Sequence, residues 1–167
     1  MTQPNNTVSL ARHVAQSPSF EAIYREGMDL VEDAAAYLDG AGRSASRSMV
    51  AEVATLYASE SMRLTTRLMQ LASWLLLQRA ANSGEMTEEQ VLEEKAKVRL
   101  EGFGAQMGAI GWEKLPADFR SLVEHSLVLQ KRVAYLDREV YGEPVEPPAA
   151  SNPVNEQLGA LRRAFGG

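Results

Sequence analysis

Apolar positions recur with a helical period along most of this chain, and the longest such stretch runs from Ser44 to Ala81. It contains neither Pro nor Gly, so the pattern predicts one helix of about 38 residues, roughly 57 Å long. A compact globule of this chain length is only about 40 Å across. The helix therefore builds an elongated bundle or projects towards a partner. One apolar stripe is Val50, Tyr57, Leu64 and Leu71, with Ala54, Ser61, Leu68 and Leu75 four residues after each. A second is Met49, Leu56, Met62, Met69 and Leu76. Together they cover a wider face than one neighbouring helix needs. Between them lies the column Val53, Glu60, Arg67 and Trp74, which places Glu60 and Arg67 on or near the buried seam.

Before this stretch, residues 1–16 are polar and irregular and read as a flexible arm. Ser17-Pro18 is a helix start, with Ser17 as N-cap and Pro18 at the first helical position. Phe20, Ile23, Tyr24, Leu30, Val31, Ala34, Tyr37 and Leu38 give that helix its 3.6 period. Gly27 sits within the stripe, as a close helix contact requires, and Gly40 and Gly42 stop the helix. After the long stretch, Thr87 and Gln90 form a capping box for a charged helix reaching Leu100. The run GFGAQMGAIGW that follows is too rich in glycine for a helix. It reads as a semi-ordered connector whose Phe103, Met107, Ile110 and Trp112 pack back on the bundle. Pro116-Ala117-Asp118 opens a last long helix with core positions Phe119, Leu122, Val123, Ser126, Leu129, Val133, Leu136 and Val140, ended by Gly142. Residues 143–167 begin with EPVEPPAASNP, an extended linker by composition. They end in a short amphipathic piece with Leu158, Leu161 and Phe165 on one face and Arg162 and Arg163 beside them. Such a motif on a tether suits a partner groove.

The expected architecture is thus all-α: an antiparallel three-helix bundle over residues 17–142 with one long central helix. A short helix and a Gly-rich connector lie between the second and third long helices, and a disordered Pro-rich tail follows. Composition narrows the function. The net charge of −5 argues against a nucleic-acid binder. With no cysteine, thiolate nucleophiles, disulfides and Cys-based zinc sites are all excluded. The first residues have no basic and apolar signal-peptide pattern, and Leu71 to Leu77 is far shorter than the roughly 20 residues of a membrane span. A cytoplasmic, soluble chain without membrane insertion is expected.

Little in the residues assembles chemistry. The glycine run superficially resembles a phosphate loop but follows a charged helix and lacks the GK[ST] ending. His13 and His125 are the only histidines, too few and too scattered for a metal or a catalytic base. Glu60 and Arg63 are three apart and can pair on the helix. If Glu60 and Arg67 are buried, desolvation forces them to pair. Trp74 reads as core or, if exposed, as an interface anchor, and the Met set reads as core filling, with an adaptable binding face as the other option.

The block SMRLTTRLMQLASWLLLQRA followed by GEMT resembles the regulator of CtrA degradation (RcdA) family, over about residues 18–142 and into the Pro-interrupted tail. The resemblance implies a three-helix bundle that forms a homodimer, without a catalytic site or cofactor. It implies a cytoplasmic proteolytic adaptor of the bacterial cell cycle, recruited to a cell pole. Such an adaptor helps the ClpXP protease degrade regulators such as CtrA, beside the response-regulator-like adaptor CpdR and the cyclic-di-GMP-binding adaptor PopA. In that reading Leu158, Leu161, Arg162, Arg163 and Phe165 are the protease-side contact. Arg63, Arg67 and Trp74 are bundle-surface contacts, and exposed apolar faces of the first two long helices meet in the dimer. Two other classes compete: a small-molecule-binding helical domain closed by the glycine connector, and an enzyme using Glu60 with His125.

Overall fold

The computed structural model describes residues 17–142; the expectations for the N-terminal arm and the C-terminal tail lie outside them. Five α-helices and one short 3-10 turn make up this part: α1 Pro18–Asp39, α2 Ala41–Ser46, α3 Ala51–Ser83, α4 Glu88–Lys95, the turn Trp112–Lys114, and α5 Ala117–Tyr141. No strand occurs among the described residues. The fold is an all-α bundle of α1, α3 and α5, with α3, of 33 residues, as its axis.

The long stretch is not one helix from Ser44. Its first residues belong to α2, and α3 starts at Ala51 after Val50, whose φ of −64° and ψ of 152° are extended. Two serines help end α2: the Ser46 hydroxyl donates to the Arg43 carbonyl and the Ser48 hydroxyl to that of Ala45. Both compete with the helix for its own acceptors. Gly42 is buried inside α2 rather than stopping α1. A Cβ there would collide with the Tyr57 hydroxyl and the Tyr37 ring. Gly40, by contrast, does cap α1, donating to the Ala36 and Tyr37 carbonyls. Pro18 takes the first turn of α1 as expected, although Ser17 makes no side-chain cap bond there. At α4 the capping box is complete: Thr87 Oγ1 accepts from Gln90 N and Gln90 Oε1 accepts from Thr87 N.

Side-chain contacts fix the helix directions. Tyr24 meets Arg79 and Gly42 lies against Tyr57, so α1 and α3 are antiparallel. Glu26 bonds His125 and Arg132, while Tyr37 stacks on Phe119 at 6.1 Å, so α1 and α5 are antiparallel too. Arg67 meets Ser126, Trp74 meets Asp137 and Gln78 meets Tyr141. Both numbers rise together, so α3 and α5 run the same way. Antiparallel packing therefore holds for the two pairs that include α1. A parallel third helix requires the chain to travel back along the bundle, and residues 99–111 make that journey. This strap runs antiparallel to α3, from Gln70 beside Arg99 to Val53 and Leu56 beside Gly111.

The core is continuous along the bundle, with Phe20, Leu64, Leu71, Trp74, Leu75, Phe119, Val123, Leu129 and Val133 buried. Gly27 gives α1 its close approach: a Cβ there would strike the Leu75 side chain. All four members of the predicted column, Val53, Glu60, Arg67 and Trp74, are buried. The second stripe divides. Leu56 is buried and Met49 packs against the core, but Met62, Met69 and Leu76 face outward, which corrects their reading as core filling. Among the connector's apolar residues only Trp112 is buried; Ile110 is 94% exposed and Met107 is exposed as well.

Candidate functional site

Two polar clusters lie within the bundle. The first joins α3 to the strap. The strap makes a backbone bond of its own from Ala109 N to the Gln106 carbonyl at 2.9 Å, and ahead of that turn the helices supply side chains to its backbone. Gln70 Oε1 accepts from Arg99 N at 2.8 Å, and Gln130 of α5 donates to the Leu100 carbonyl. Arg67 donates through Nε to the Phe103 carbonyl at 2.9 Å, and through Nη2 to the same oxygen. Its Nη1 donates to Ser126 Oγ at 2.6 Å. Arg63 Nη1 reaches the Gly104 carbonyl at 3.2 Å, and Glu60 Oε1 accepts from Gln106 N at 3.1 Å.

Buried Arg67 is thus satisfied by a carbonyl and a hydroxyl. Glu60 pairs with Arg63 at 3.6 Å rather than making the direct bond to Arg67 that its burial predicted. Burial pulls the Arg67 guanidinium below its ordinary pKa, the Glu60 charge opposes that, and Arg63 adds to it. Ser126 completes the set by donating to the Val123 carbonyl at 2.6 Å.

The second cluster ties α4 to α3 and α5. Trp74 Nε1 donates to Asp137 Oδ1 at 2.7 Å, and Lys95 Nζ donates to the same oxygen at 3.0 Å. The ammonium lies 4.4 Å from the Trp74 ring centroid and 3.2 Å from that of Tyr141, a geometry that attracts a cation to two ring faces. Tyr141 donates to Gln78 Oε1 at 2.7 Å. Burial lowers the Lys95 pKa from 10.5 to about 8 despite Asp137, and burial raises that of Tyr141 to about 12. Sequence reasoning missed this cage. Lys95 sits in a run of charges that reads as a solvated helix face.

These placements revise the candidate residues. Arg67 and Trp74 are inside the bundle, so a partner does not touch them directly in this conformation; Arg63 remains partly accessible. Leu158, Leu161, Arg162, Arg163 and Phe165 lie outside the described residues. His125 is partly exposed and bonds Glu26 Oε1 at 2.9 Å. Burial raises the Glu26 pKa, but its bonds to His125 and Arg132 outweigh that and hold it below the usual range. Glu60 instead serves the strap, so the structure does not bring Glu60 and His125 together. Two open clefts of about 370 and 340 Å³ line α1 near Glu26 and the end of the bundle near Val50 and Lys114. Neither lies beneath the strap, where the small-molecule reading requires one.

The solvent face of α3 is turned outward along the helix. Thr55, Ala58, Met62, Thr65, Met69, Ser73 and Leu76 are exposed at spacings of three and four. None is charged. The hydroxyls of Thr55, Thr65 and Ser73 donate to carbonyls of their own helix at 2.8–2.9 Å. The face therefore offers methyl and thioether groups more than free donors. Met62 is 73% exposed and Met69 64%.

A bundle of three long helices, with Arg67 and Lys95 bonded to its own chain and an uncharged helical face turned outward, defines an all-α helical-bundle protein. A family model described as a protein of unknown function, DUF1465, matches residues 11–165. Among solved structures the chain is similar to RcdA from Caulobacter crescentus CB15, with 46% sequence identity over 77% of this chain and 95% of that chain, and a TM-score of 0.63. The chain belongs to the RcdA family, with which the DUF1465 match is consistent. Nothing among curated proteins matches.

Proposed function

We propose that this chain is a non-enzymatic adaptor that promotes degradation of cell-cycle regulators such as CtrA by the ClpXP protease, acting with CpdR and PopA. The observation that carries this reading is the 46% identity to RcdA across 95% of that chain. The geometry agrees with it, since the buried ionisable groups Glu60, Arg67 and Lys95 are committed to the strap and to α4. In this reading the bundle receives cargo or a second adaptor. The tail motif Leu158, Leu161, Arg162, Arg163 and Phe165 contacts the protease side. Tethering raises the local concentration of cargo at the protease, and linker reach sets by how much. The uncharged face of α3 is the contact with a second copy, joined by exposed parts of α1. The adaptor acts in the cytoplasm and is recruited to a cell pole.

The test is the rate at which purified ClpXP with CpdR and PopA degrades CtrA, with and without this chain. Acceleration that saturates with chain concentration is expected. An unchanged rate, with the chain folded and all partners active, contradicts the proposal.

A further inference from the structure

The strap is held in a groove between α3 and α5 by side chains that bond its backbone; it bends at 101–102, runs without a turn over 103–106 and turns at 107–110. Gln70 takes the Arg99 N–H, Gln130 the Leu100 carbonyl, Arg67 the Phe103 carbonyl, Arg63 the Gly104 carbonyl and Glu60 the Gln106 N–H. Such contacts read any extended chain with matching spacing, not these particular side chains. Glu60 Oε2 is buried in the groove and has no hydrogen-bond partner, so the groove keeps an unused acceptor.

The strap's own residues do little to secure it. Positive φ makes glycine necessary at Gly102 and Gly111, at 99° and 96°. Gly104 and Gly108 have neither positive φ nor any atom within 4 Å of where a Cβ would stand. Neither fold nor packing requires glycine there. Their physical effect is to give the released strap more conformations and so weaken its closure. Ile110 and Met107 stay exposed. Trp112 and Leu115 on one side and Val91 on the other are buried and keep the ends fixed while the middle opens.

We propose that the α3–α5 groove is a docking site for an extended peptide segment of a partner protein. Residues 99–111 are its occupant in cis and exchange with that segment. The segment that fits has small or aliphatic residues where Leu100, Ala105 and Ala109 pack against the core. It offers carbonyls to Arg67 and Arg63 and N–H groups to Glu60. The adaptor reading bears only on which partner supplies it.

The probe is a fluorescein-labelled peptide of residues 99–112, bound to the full chain and followed by anisotropy. Gln106→Pro removes one strap N–H at an exposed position and leaves the groove intact, so this variant binds the peptide more tightly than the natural chain. Gly104→Ala with Gly108→Ala stiffens the strap and binds it roughly fivefold more weakly, the factor expected of two such replacements. Adding Arg67→Met to Gln106→Pro abolishes binding. Hydrogen exchange of the natural chain shows the Arg99 and Gln106 amides opening without global unfolding. Equal peptide affinity across these chains, or strap amides that exchange only when α3 unfolds, overturns the proposal. No protease or cargo is present, so failure here leaves the adaptor reading standing, and failure of delivery leaves the exchange standing.

Discussion

Ser126 is fully buried and links two elements through one oxygen, accepting from Arg67 and donating to Val123. Ser126→Ala leaves a guanidinium N–H without an acceptor in a dry site. A loss of about 1–3 kcal/mol in chemical denaturation is expected, with faster exchange in the strap because Arg67 is then less well held. Lys95 makes a prediction in pH. Its pKa is depressed in the folded state, from 10.5 to about 8, so between these values the unfolded chain binds the extra proton and stability rises with pH. The rise from pH 8 to 10 is on the order of 2 kcal/mol. Above pH 10 three tyrosines reverse it, since Tyr37, Tyr57 and Tyr141 all have raised pKa values when folded and the unfolded chain loses their protons first. Urea midpoints across this range should show the rise, and Lys95→Met should flatten it while Asp137 keeps its bond from Trp74.

At the scale of elements, the helices were readable where local chemistry announces itself. Ser17-Pro18 and the Thr87 and Gln90 box stand where the residue types place them. The break between α2 and α3 was not readable, because it contains neither Pro nor Gly. It arises from serine hydroxyls taking helix carbonyls and from Gly42 seating under two tyrosines, a tertiary contact. Periodicity likewise put Glu60, Arg67 and Trp74 on one buried column. It could not say that Met62 and Met69 lie on the opposite side, since an apolar stripe looks the same facing core or solvent. Gly27 is a close helix contact, and Gly27→Ala should cost about 1–3 kcal/mol by overpacking against Leu75. On the outward face of α3, Met62→Glu with Met69→Glu should leave thermal stability within about 0.5 kcal/mol. The same pair should shift sedimentation towards the monomer, if that face joins two copies.

Across the whole molecule, the parallel course of α3 and α5 explains why a long crossing segment is needed at all. Once α5 runs with α3, the chain must recross the length of the bundle, and the polar column on α3 becomes the track that holds it. Arg67 and Glu60, the charges that the sequence offered for recognition, are therefore spent on holding the strap. In the proposed adaptor, bundle and tail divide the work of delivery. The most direct measurement is CtrA degradation by ClpXP with CpdR and PopA, comparing the full chain with a chain ending at Gly142. Loss of delivery by the shortened chain, with cargo still bound to its bundle, is the predicted result. Equal delivery by both would contradict the claim and place the protease contact on the bundle itself.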